Sequence, residues 1–342
     1  MATNYFPEKP RDDYFIMECE AHPIPAPDCL LDVAYFKSFA KFIATTDGCQ
    51  RGTTGKIRTL DMSGEEFEKM PKTQPEALIW SMDKSGCDVA CCIPEFFYNT
   101  NDHSKPWMTN GLVQQYADKY PDRLLACPNF TPSLRDMKDV LWEMEYFAKE
   151  KNCKCLKYYP PEETVPMNDK LLWPFWEKAE ELGYVVQIHA GMAYTYRGRT
   201  KFCMPLQLED VCNDFFDLKI HAFHMGWPWT DILCVLAGQF PNLYLGLSWT
   251  QHNIKWRPRH FAKLFGQAML WCTADKIIWG CDGEPDAESI EAFKKFQFPE
   301  DLQEDYGFKP ITEEEKAKIF GLNLARILGI EPTKRKKVFE DV

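Results

Sequence analysis

Two carboxylates and an imidazole alternate with small residues in the stretch Glu18-Cys19-Glu20-Ala21-His22, or ECEAH. The stretch ends an apolar run that is typical of a buried strand, in which successive side chains point to opposite faces. Glu18, Glu20 and His22 are therefore expected on one face, and Cys19 and Ala21 on the other. Acids and a histidine on a buried face are costly unless they are paired or bind a metal. We interpret Glu20 and His22 as metal ligands, and a salt-bridged strand end is the alternative.

Protonatable residues also end three later apolar runs. His189 ends the fifth run in QIHAG, His224 the sixth in HAFHMG, and Asp282 the eighth in GCDG. If these runs are parallel strands of a barrel, their carboxyl ends meet at the face where barrel enzymes build their active sites. Four such residues at matching places predict one shared site.

The remaining histidines are assigned by position. His221 and His224 are an odd number of residues apart, so a regular strand cannot place both on one face. We assign His224 to the site and expect His221 to face the helices as a hydrogen-bonded structural residue. His252, in the loop after the seventh run, is a pocket candidate, whereas His103 and His260 are expected at the surface.

The elements that must position these residues form a repeated β/α pattern. Helix-period segments such as DKLLWPFWEKAEELG separate eight strand-length runs. Several of the helical segments end at Gly or Asn, as helices commonly do. The pattern predicts the α/β class and a (β/α)8 TIM barrel, with an open Rossmann-like sheet as the alternative. The first strand leads into PIPAPDC and not into a glycine-rich phosphate turn, which disfavours the alternative. The runs cover residues 15–22, 88–95, 124–130, 153–159, 184–190, 218–224, 243–249 and 276–282.

The whole chain, 1–342, is expected to be a single domain with a core of about 14–330. Its first β/α connection, from about Pro23 to Pro75, is long enough to be a lid or binding loop. The C-terminal tail, 331–342, is rich in charge and is expected to be solvated.

Composition excludes several classes of function. The net charge of −11 disfavours a nucleic-acid-binding surface. No run approaches the roughly 18 apolar residues that a membrane span needs, and no signal peptide is apparent, so we expect a cytoplasmic protein without a membrane partner. The 14 cysteines fall mainly in apolar runs and are expected to be reduced core thiols.

The series ECEAH, QIHAG, HAFHMGWPW and IIWGCDGEP, with PDRLLACPNF before the later motifs and IFGLNLARILGI after them, resembles the amidohydrolase superfamily. The resemblance extends from about Ile16 to Ile330 and is to the aminocarboxymuconate semialdehyde decarboxylase-like branch. It implies that the metal ligands are Glu20, His22, His189 and Asp282, and that His224 contacts substrate or water.

This ligand set predicts one divalent ion. Two imidazoles and two carboxylates suit Zn²⁺, our first choice, and also Mn²⁺ or Fe²⁺. Binuclear relatives carry a carboxylated lysine on strand four, where this chain has Lys154 and Lys157. Lys157 is a candidate for that role, but we favour a solvated or ion-paired lysine and a single ion.

Glu-x-His in place of His-x-His is similar to the hydroxybenzoate-type decarboxylases of the branch. The resemblance implies that Asp282 delivers a proton to the ring carbon that bears the substrate's carboxylate, while His224 orients the substrate or relays the proton. Hydrolysis of a lactone, amide or ester, or hydration, is the alternative on the same site. A metal-stabilised binding protein is a further alternative.

Loop residues past the strand ends suggest how a small carboxylate substrate is bound. Arginines can clamp a carboxylate, tryptophans can stack on a planar ring, and His252 can line the pocket. The candidates are Arg197, Arg199, Arg257, Trp227, Trp249 and His252, with Trp229, Tyr194 and Tyr196 as further aromatic residues. The many tryptophans also suggest a subunit interface, and we expect a homodimer.

Overall fold

Each of the eight predicted runs contains a strand in the computed structural model, which describes residues 13–23, 69–71, 73–94, 108–193, 198–340 and 342. All pairings between these strands are parallel, and neighbours in the sheet are neighbours in the chain. The strands are β1 Met17–Ala21, β2 Val89–Cys92, β3 Leu124–Ala126, β4 Cys155–Tyr158, β5 Val185–Ile188, β6 Lys219–Ala222, β7 Leu243–Gly246 and β8 Ile277–Ile278.

Helices follow the strands and cover the outside of the sheet. In the part of the chain that the structure describes, no helix is both long and apolar enough to cross a membrane. The α-helices of the described residues are α1 Glu76–Ser85, α2 Asn110–Lys119, α3 Met137–Glu150, α4 Trp173–Glu181, α5 Leu208–Asp214, α6 Thr230–Gln239, α7 Asn253–Trp256, α8 Pro258–Trp271, α9 Ala287–Lys294, α10 Glu300–Tyr306, α11 Glu313–Ala317 and α12 Asn323–Leu328, with a π-helical turn, Lys318–Leu322, before the last.

The sheet closes into a (β/α)8 barrel across two weak seams. Between β3 and β4 the contact is a single bridge, Asn129 to Lys157. Between β8 and β1 the backbone N–H of Cys281 donates to both carboxylate oxygens of Glu18, at 2.8 and 2.9 Å. A side chain therefore replaces part of the strand pairing there. Burial raises the pKa of Glu18 to about 7.

Two apolar cores lie on the two faces of the barrel. The inner core contains side chains such as Met17, Cys91, Cys155 and Phe223 and is closed by Leu324 from α12. The larger outer core lies between the strands and the helices. All the cysteines that the structure describes are buried and unpaired, which confirms the prediction of reduced core thiols.

A bulge in β1 corrects the predicted alternation of its side chains. Glu18 pairs with Ala90, but the next pairing joins Ala21 to Cys92, so β1 has one residue more than β2 over this segment. Cys19 consequently lies in the inner core and Ala21 in the outer core. The prediction that these two residues share a face was wrong, because strict alternation fails at a bulge.

The predicted orientation of His221 was also wrong. Its chain neighbours Ile220 and Ala222 belong to the outer core, so its imidazole points into the barrel. There it contacts the ring of Phe223 at 4.8 Å between centroids. Neither ring nitrogen has a hydrogen-bond partner among the described residues. Burial lowers the pKa of His221 to about 3, so the ring is neutral at physiological pH.

The charged C-terminal tail is largely exposed, as expected, but its backbone is anchored to the barrel. The N–H groups of Val338 and Phe339 donate to Oδ2 of Asp83, at 2.7 and 2.9 Å. Arg123 pairs with the other oxygen of Asp83 at 2.8 Å and donates to the carbonyl of Lys336. The tail is therefore part of the folded unit. The predicted lid, Pro23 to Pro75, lies largely outside the described residues.

Candidate metal centre

Glu20, His22 and Asp282 meet where β1 and β8 end. Nε2 of His22 lies 3.3 Å from Oδ1 of Asp282 and 3.7 Å from Oε1 of Glu20. One ligand atom from each of the three residues lies within 4.8 Å of the other two. Glu20 is buried, whereas the Asp282 side chain is 21% exposed, so the group is open on one side.

Glu20 is held at both of its oxygens. The ammonium of Lys157 on β4 contacts Oε1 at 2.5 Å, and the hydroxyl of Ser248 after β7 donates to Oε2 at 2.5 Å. Burial opposes ionisation of Glu20, but Lys157 and His224 outweigh it and hold the pKa of this carboxyl well below its usual range. Glu20 is therefore a carboxylate at neutral pH.

His189 and His224 form a chain of hydrogen bonds beside this group. Nε2 of His189 lies 2.9 Å from the carbonyl of Met192, which can only accept, so His189 carries its proton on Nε2. Nδ1 of His189 then accepts from Nε2 of His224, at 2.9 Å. Nδ1 of His224 lies 3.1 Å from the hydroxyl of Ser248, which links the chain to Glu20.

The structure thus brings three of the four predicted ligands together. His189 is not a member of that group, and both of its nitrogens have protein partners. Burial and the neighbouring His224 and Lys157 hold the pKa of His189 well below its usual range, so the ring is neutral, as a metal ligand must be.

Left-handed backbone marks the ends of three neighbouring strands. His224 after β6, Trp249 after β7 and Asp282 after β8 have φ values of 57°, 62° and 61°. This region is uncommon for residues other than glycine, above all for a bulky one such as tryptophan, and such strain concentrates at functional sites. For His224 the turn also breaks strand alternation, which lets the ring reach the site although His221 points inward as well.

The backbone of Cys281, which precedes Asp282, is fixed at both its N–H and its carbonyl. Glu18 accepts from the N–H of Cys281, while Nε2 of His252 lies 3.1 Å from its carbonyl and Gln251 donates to the same oxygen at 3.3 Å. Nδ1 of His252 lies 3.2 Å from Oδ2 of Asp286. His252 therefore lies against protein groups at both nitrogens, and its predicted place in the substrate pocket stays a prediction.

The other predicted substrate residues are placed as follows. Trp227 and Trp249 are half-buried neighbours, 5.8 Å apart between ring centroids. Arg257 is half-buried and Arg199 is exposed. His260 is exposed on α8, as expected. Outside the described residues lie Arg197, Tyr194, Tyr196 and His103.

Sequence reasoning missed Ser248, Asp286 and the structural part played by Glu18. Ser248 carried a usable signal, because it is a polar residue at the end of the seventh apolar run, LYLGLSW. Asp286 had a local signal too, since it caps α9 by accepting from the N–H groups of Glu288 and Ser289. Contacts of Glu18 with Cys281 depend on barrel closure and had no local signal.

Comparison with known proteins gives one family and many similar structures. The model of a family described as amidohydrolase matches residues 91–330. No curated protein matches the sequence. An uncharacterised TIM-barrel protein from Bordetella bronchiseptica is 19% identical, with a TM-score of 0.65 over 92% of this chain and 98% of that chain.

Several of the similar structures have stated activities, among them a decarboxylase and a hydratase. A 5-carboxyvanillate decarboxylase from Novosphingobium aromaticivorans, complexed with manganese and 4-hydroxy-3-methoxy-5-nitrobenzoic acid, is 14% identical, with a TM-score of 0.62 over 93% of this chain and 96% of that chain. A 4-oxalomesaconate hydratase from Rhodopseudomonas palustris is 18% identical, with a TM-score of 0.57 over 92% of this chain and 95% of that chain. At these identities the likeness shows the barrel fold.

Proposed function

Because the chain belongs to the amidohydrolase family, we propose that it is a metal-dependent decarboxylase acting on a small aromatic or unsaturated carboxylic acid similar to a hydroxybenzoate. The observation that carries the proposal is the group formed by Glu20, His22 and Asp282 at the open end of the barrel. The decarboxylase from Novosphingobium supports the substrate class by its stated activity.

The three residues fit a divalent cation. Two ligand atoms that are each about 2.1 Å from one ion lie roughly 3 to 3.5 Å apart. The separations of 3.3 and 3.7 Å from His22 to its two partners are close to that range. Carboxylates with one imidazole suit Mn²⁺ or Fe²⁺ as well as Zn²⁺. The manganese in the decarboxylase complex makes Mn²⁺ the first ion to test.

We assign Glu20, His22 and Asp282 as direct ligands. His189 would complete the set by giving up one of its two present hydrogen bonds, to His224 or to the carbonyl of Met192. A ligand set that leaves a position for substrate is what catalysis at such an ion requires.

Proton transfer is the step that this chain's own residues must perform. When bound, the ion supplies Lewis acidity and fixes a substrate that carries neighbouring hydroxyl and carboxylate groups. Asp282 is the most exposed of its three ligands and would hold the proton destined for the carbon that bears the carboxylate. His224 is buried, so it would act through its bonds to His189 and Ser248 and not by contact with the substrate.

Residues around the opening would set substrate preference. Trp227 and Trp249 are placed side by side and would contact a planar ring. Arg257, half-buried in the loop after β7, would pair with a second carboxylate. Arg199 and Arg197 are the further candidates for that role.

Hydration or hydrolysis is the second candidate function. The hydratase from Rhodopseudomonas has nearly the same similarity to this chain as the decarboxylase has. The same ion and Asp282 would then activate water.

A direct assay separates these reactions. The protein is loaded with Mn²⁺, incubated with a panel of hydroxybenzoates and carboxyvanillates, and monitored for CO₂ release, with Asp282→Asn as the control. The proposal expects release by the wild type and its loss in the variant. Turnover of lactones, amides or enol acids without CO₂ release would replace the proposal with hydrolysis or hydration.

We also propose that the protein is a homodimer. Trp142 and Tyr146 on α3 stack on each other, and the Trp142 side chain is 68% exposed. Aromatic residues of this kind are enriched at subunit interfaces. Light scattering of the wild type and of Trp142→Lys tests this, and a monomeric wild type would contradict it.

A further inference from the structure

Lys157 places its ammonium group inside the barrel, where a charge is costly unless it is paired. Its side chain is 4% exposed and extends from β4 towards the metal centre. The ammonium lies 2.5 Å from Oε1 of Glu20 and 4.0 Å from the ring centroid of Phe223. One face of the ammonium is therefore paired with a carboxylate and another with an aromatic ring.

This contact lets Glu20 remain an ordered carboxylate without a metal ion. A buried carboxylate without a partner is strongly destabilising, and Lys157 together with Ser248 satisfies both of its oxygens. Glu20 is consequently held in the direction that metal binding needs before an ion arrives.

A bound cation would meet the same ammonium. An ion held by Glu20, His22 and Asp282 shares the carboxylate that Lys157 contacts, and like charges at such short range repel strongly because a buried site is poorly screened. The ammonium therefore stabilises the metal-free site and opposes the ion.

We propose that Lys157 is a built-in counter-ion of the metal centre, which holds the Glu20 side chain in place without metal and lowers the affinity of the site for a divalent cation. The inference rests on the proposed metal-dependent function and deepens it. Lys157 acts through Glu20 and is a positioning residue.

The same contact bears on the number of ions. Carboxylation would turn the Lys157 ammonium into an anion, which would lie against the carboxylate of Glu20 and lose the ion pair. As a counter-ion, Lys157 is therefore unmodified, and the site holds one ion.

The test is a titration of metal-stripped protein with Mn²⁺ alone. Binding is measured by calorimetry and, independently, by the electron paramagnetic resonance signal of free Mn²⁺. Lys157→Met removes the charge and keeps the length of the side chain, whereas Lys157→Arg keeps the charge. Lys154→Met is the matched control, because Lys154 precedes the same strand and is exposed. We expect Lys157→Met to bind Mn²⁺ at least tenfold more tightly than the wild type, and the other two variants to match the wild type.

Thermal unfolding gives a second readout that does not depend on activity. Metal-free Lys157→Met should unfold at a lower temperature than the metal-free wild type, and Mn²⁺ should narrow the difference. If Lys157→Met cannot be obtained without metal, Lys157→Gln takes its place in both measurements.

Two results would overturn the inference in distinguishable ways. If the wild type binds Mn²⁺ and the uncharged variants bind it no more tightly, Lys157 is not a counter-ion of the metal centre. The proposal of the metal centre itself is then unaffected. A wild type that does not bind Mn²⁺, Zn²⁺ or Fe²⁺ rejects the metal centre itself, and the counter-ion with it.

Discussion

Nε2 of His22 lies 3.3 Å from Oδ1 of Asp282, although the two residues follow the first and the last strands of the barrel. Closure of the barrel across the β8–β1 seam creates this contact. The N–H of Gly283 donates to the carbonyl of Glu20 at 2.8 Å, and Glu18 accepts from Cys281 in the same seam. The candidate metal centre therefore depends directly on the closure of the sheet.

Replacing His224 should separate metal binding from catalysis. His224 is outside the group of Glu20, His22 and Asp282 but is hydrogen-bonded to His189. His224→Ala is expected to retain Mn²⁺ and to lower kcat by roughly 100-fold or more, because the variant breaks the hydrogen-bond chain that supports proton transfer by Asp282. Metal analysis and steady-state kinetics check this. Loss of the ion together with activity would make His224 a ligand or a structural residue.

Replacing His252 should affect turnover more than substrate affinity. Its nitrogens contact the carbonyl of Cys281 and the carboxylate of Asp286, so it fixes the turn that carries Asp282. His252→Ala should lower kcat by about tenfold or more and change KM little, because a small displacement of a catalytic group is costly. A variant with a raised KM and an unchanged kcat would instead support the original prediction of a substrate contact.

The anchored tail makes Arg123 important for stability. Its pairing with Asp83 is buried, with 6% and 0% of the two side chains exposed. Arg123→Met leaves the buried carboxylate of Asp83 without its counter-ion and should lower the free energy of unfolding by about 3 kcal/mol or more. Chemical denaturation measures the loss. The exposed pair of Arg259 and Asp301 supplies the control, since a solvated ion pair contributes little and Arg259→Met should leave the free energy of unfolding nearly unchanged.

Glu163 should make stability depend on pH. Burial raises its pKa to about 7, although Ser133 donates to its Oε2 through both N–H and hydroxyl. A carboxyl whose pKa is higher in the folded state contributes stability below its unfolded pKa of 4.5 and loses that contribution as the pH rises through about 7.

Glu163→Gln removes this ionisation and keeps an oxygen for Ser133. At pH 8 the variant should be more stable than the wild type by up to about 3 kcal/mol, and at pH 4.5 the two should be nearly equal. Unfolding at both pH values measures the difference. If the variant and the wild type differ in stability by the same amount at pH 4.5 and at pH 8, Glu163 does not ionise in this range.

The barrel could be predicted from the sequence because its signals are local. Apolar runs of strand length alternate with helix-period segments, and each of the eight runs contains a strand. The position of His189, His224 and Asp282 at the ends of such runs was enough to place them at one end of the barrel. His22 and Glu20 were predicted as ligands for the same reason.

What could not be predicted depends on non-local geometry. The extra residue in β1 has no signature in ECEAH, so Cys19 and Ala21 were assigned to the same face. The left-handed turn at His224 allows two histidines at odd spacing to point inward, which regular strand geometry forbids. Neither the pairing of Lys157 with Glu20 nor the contacts of His252 can be read from spacing, because each joins different strands or loops.

The most direct test of the account is a crystal soaked with Mn²⁺ and measured at the manganese absorption edge. We expect one anomalous peak at about 2.0 to 2.3 Å from ligand atoms of Glu20, His22 and Asp282. We also expect that the peak is lost in His22→Ala. A crystal without a peak at these three residues, or with the ion bound elsewhere in the barrel, would contradict the central claim.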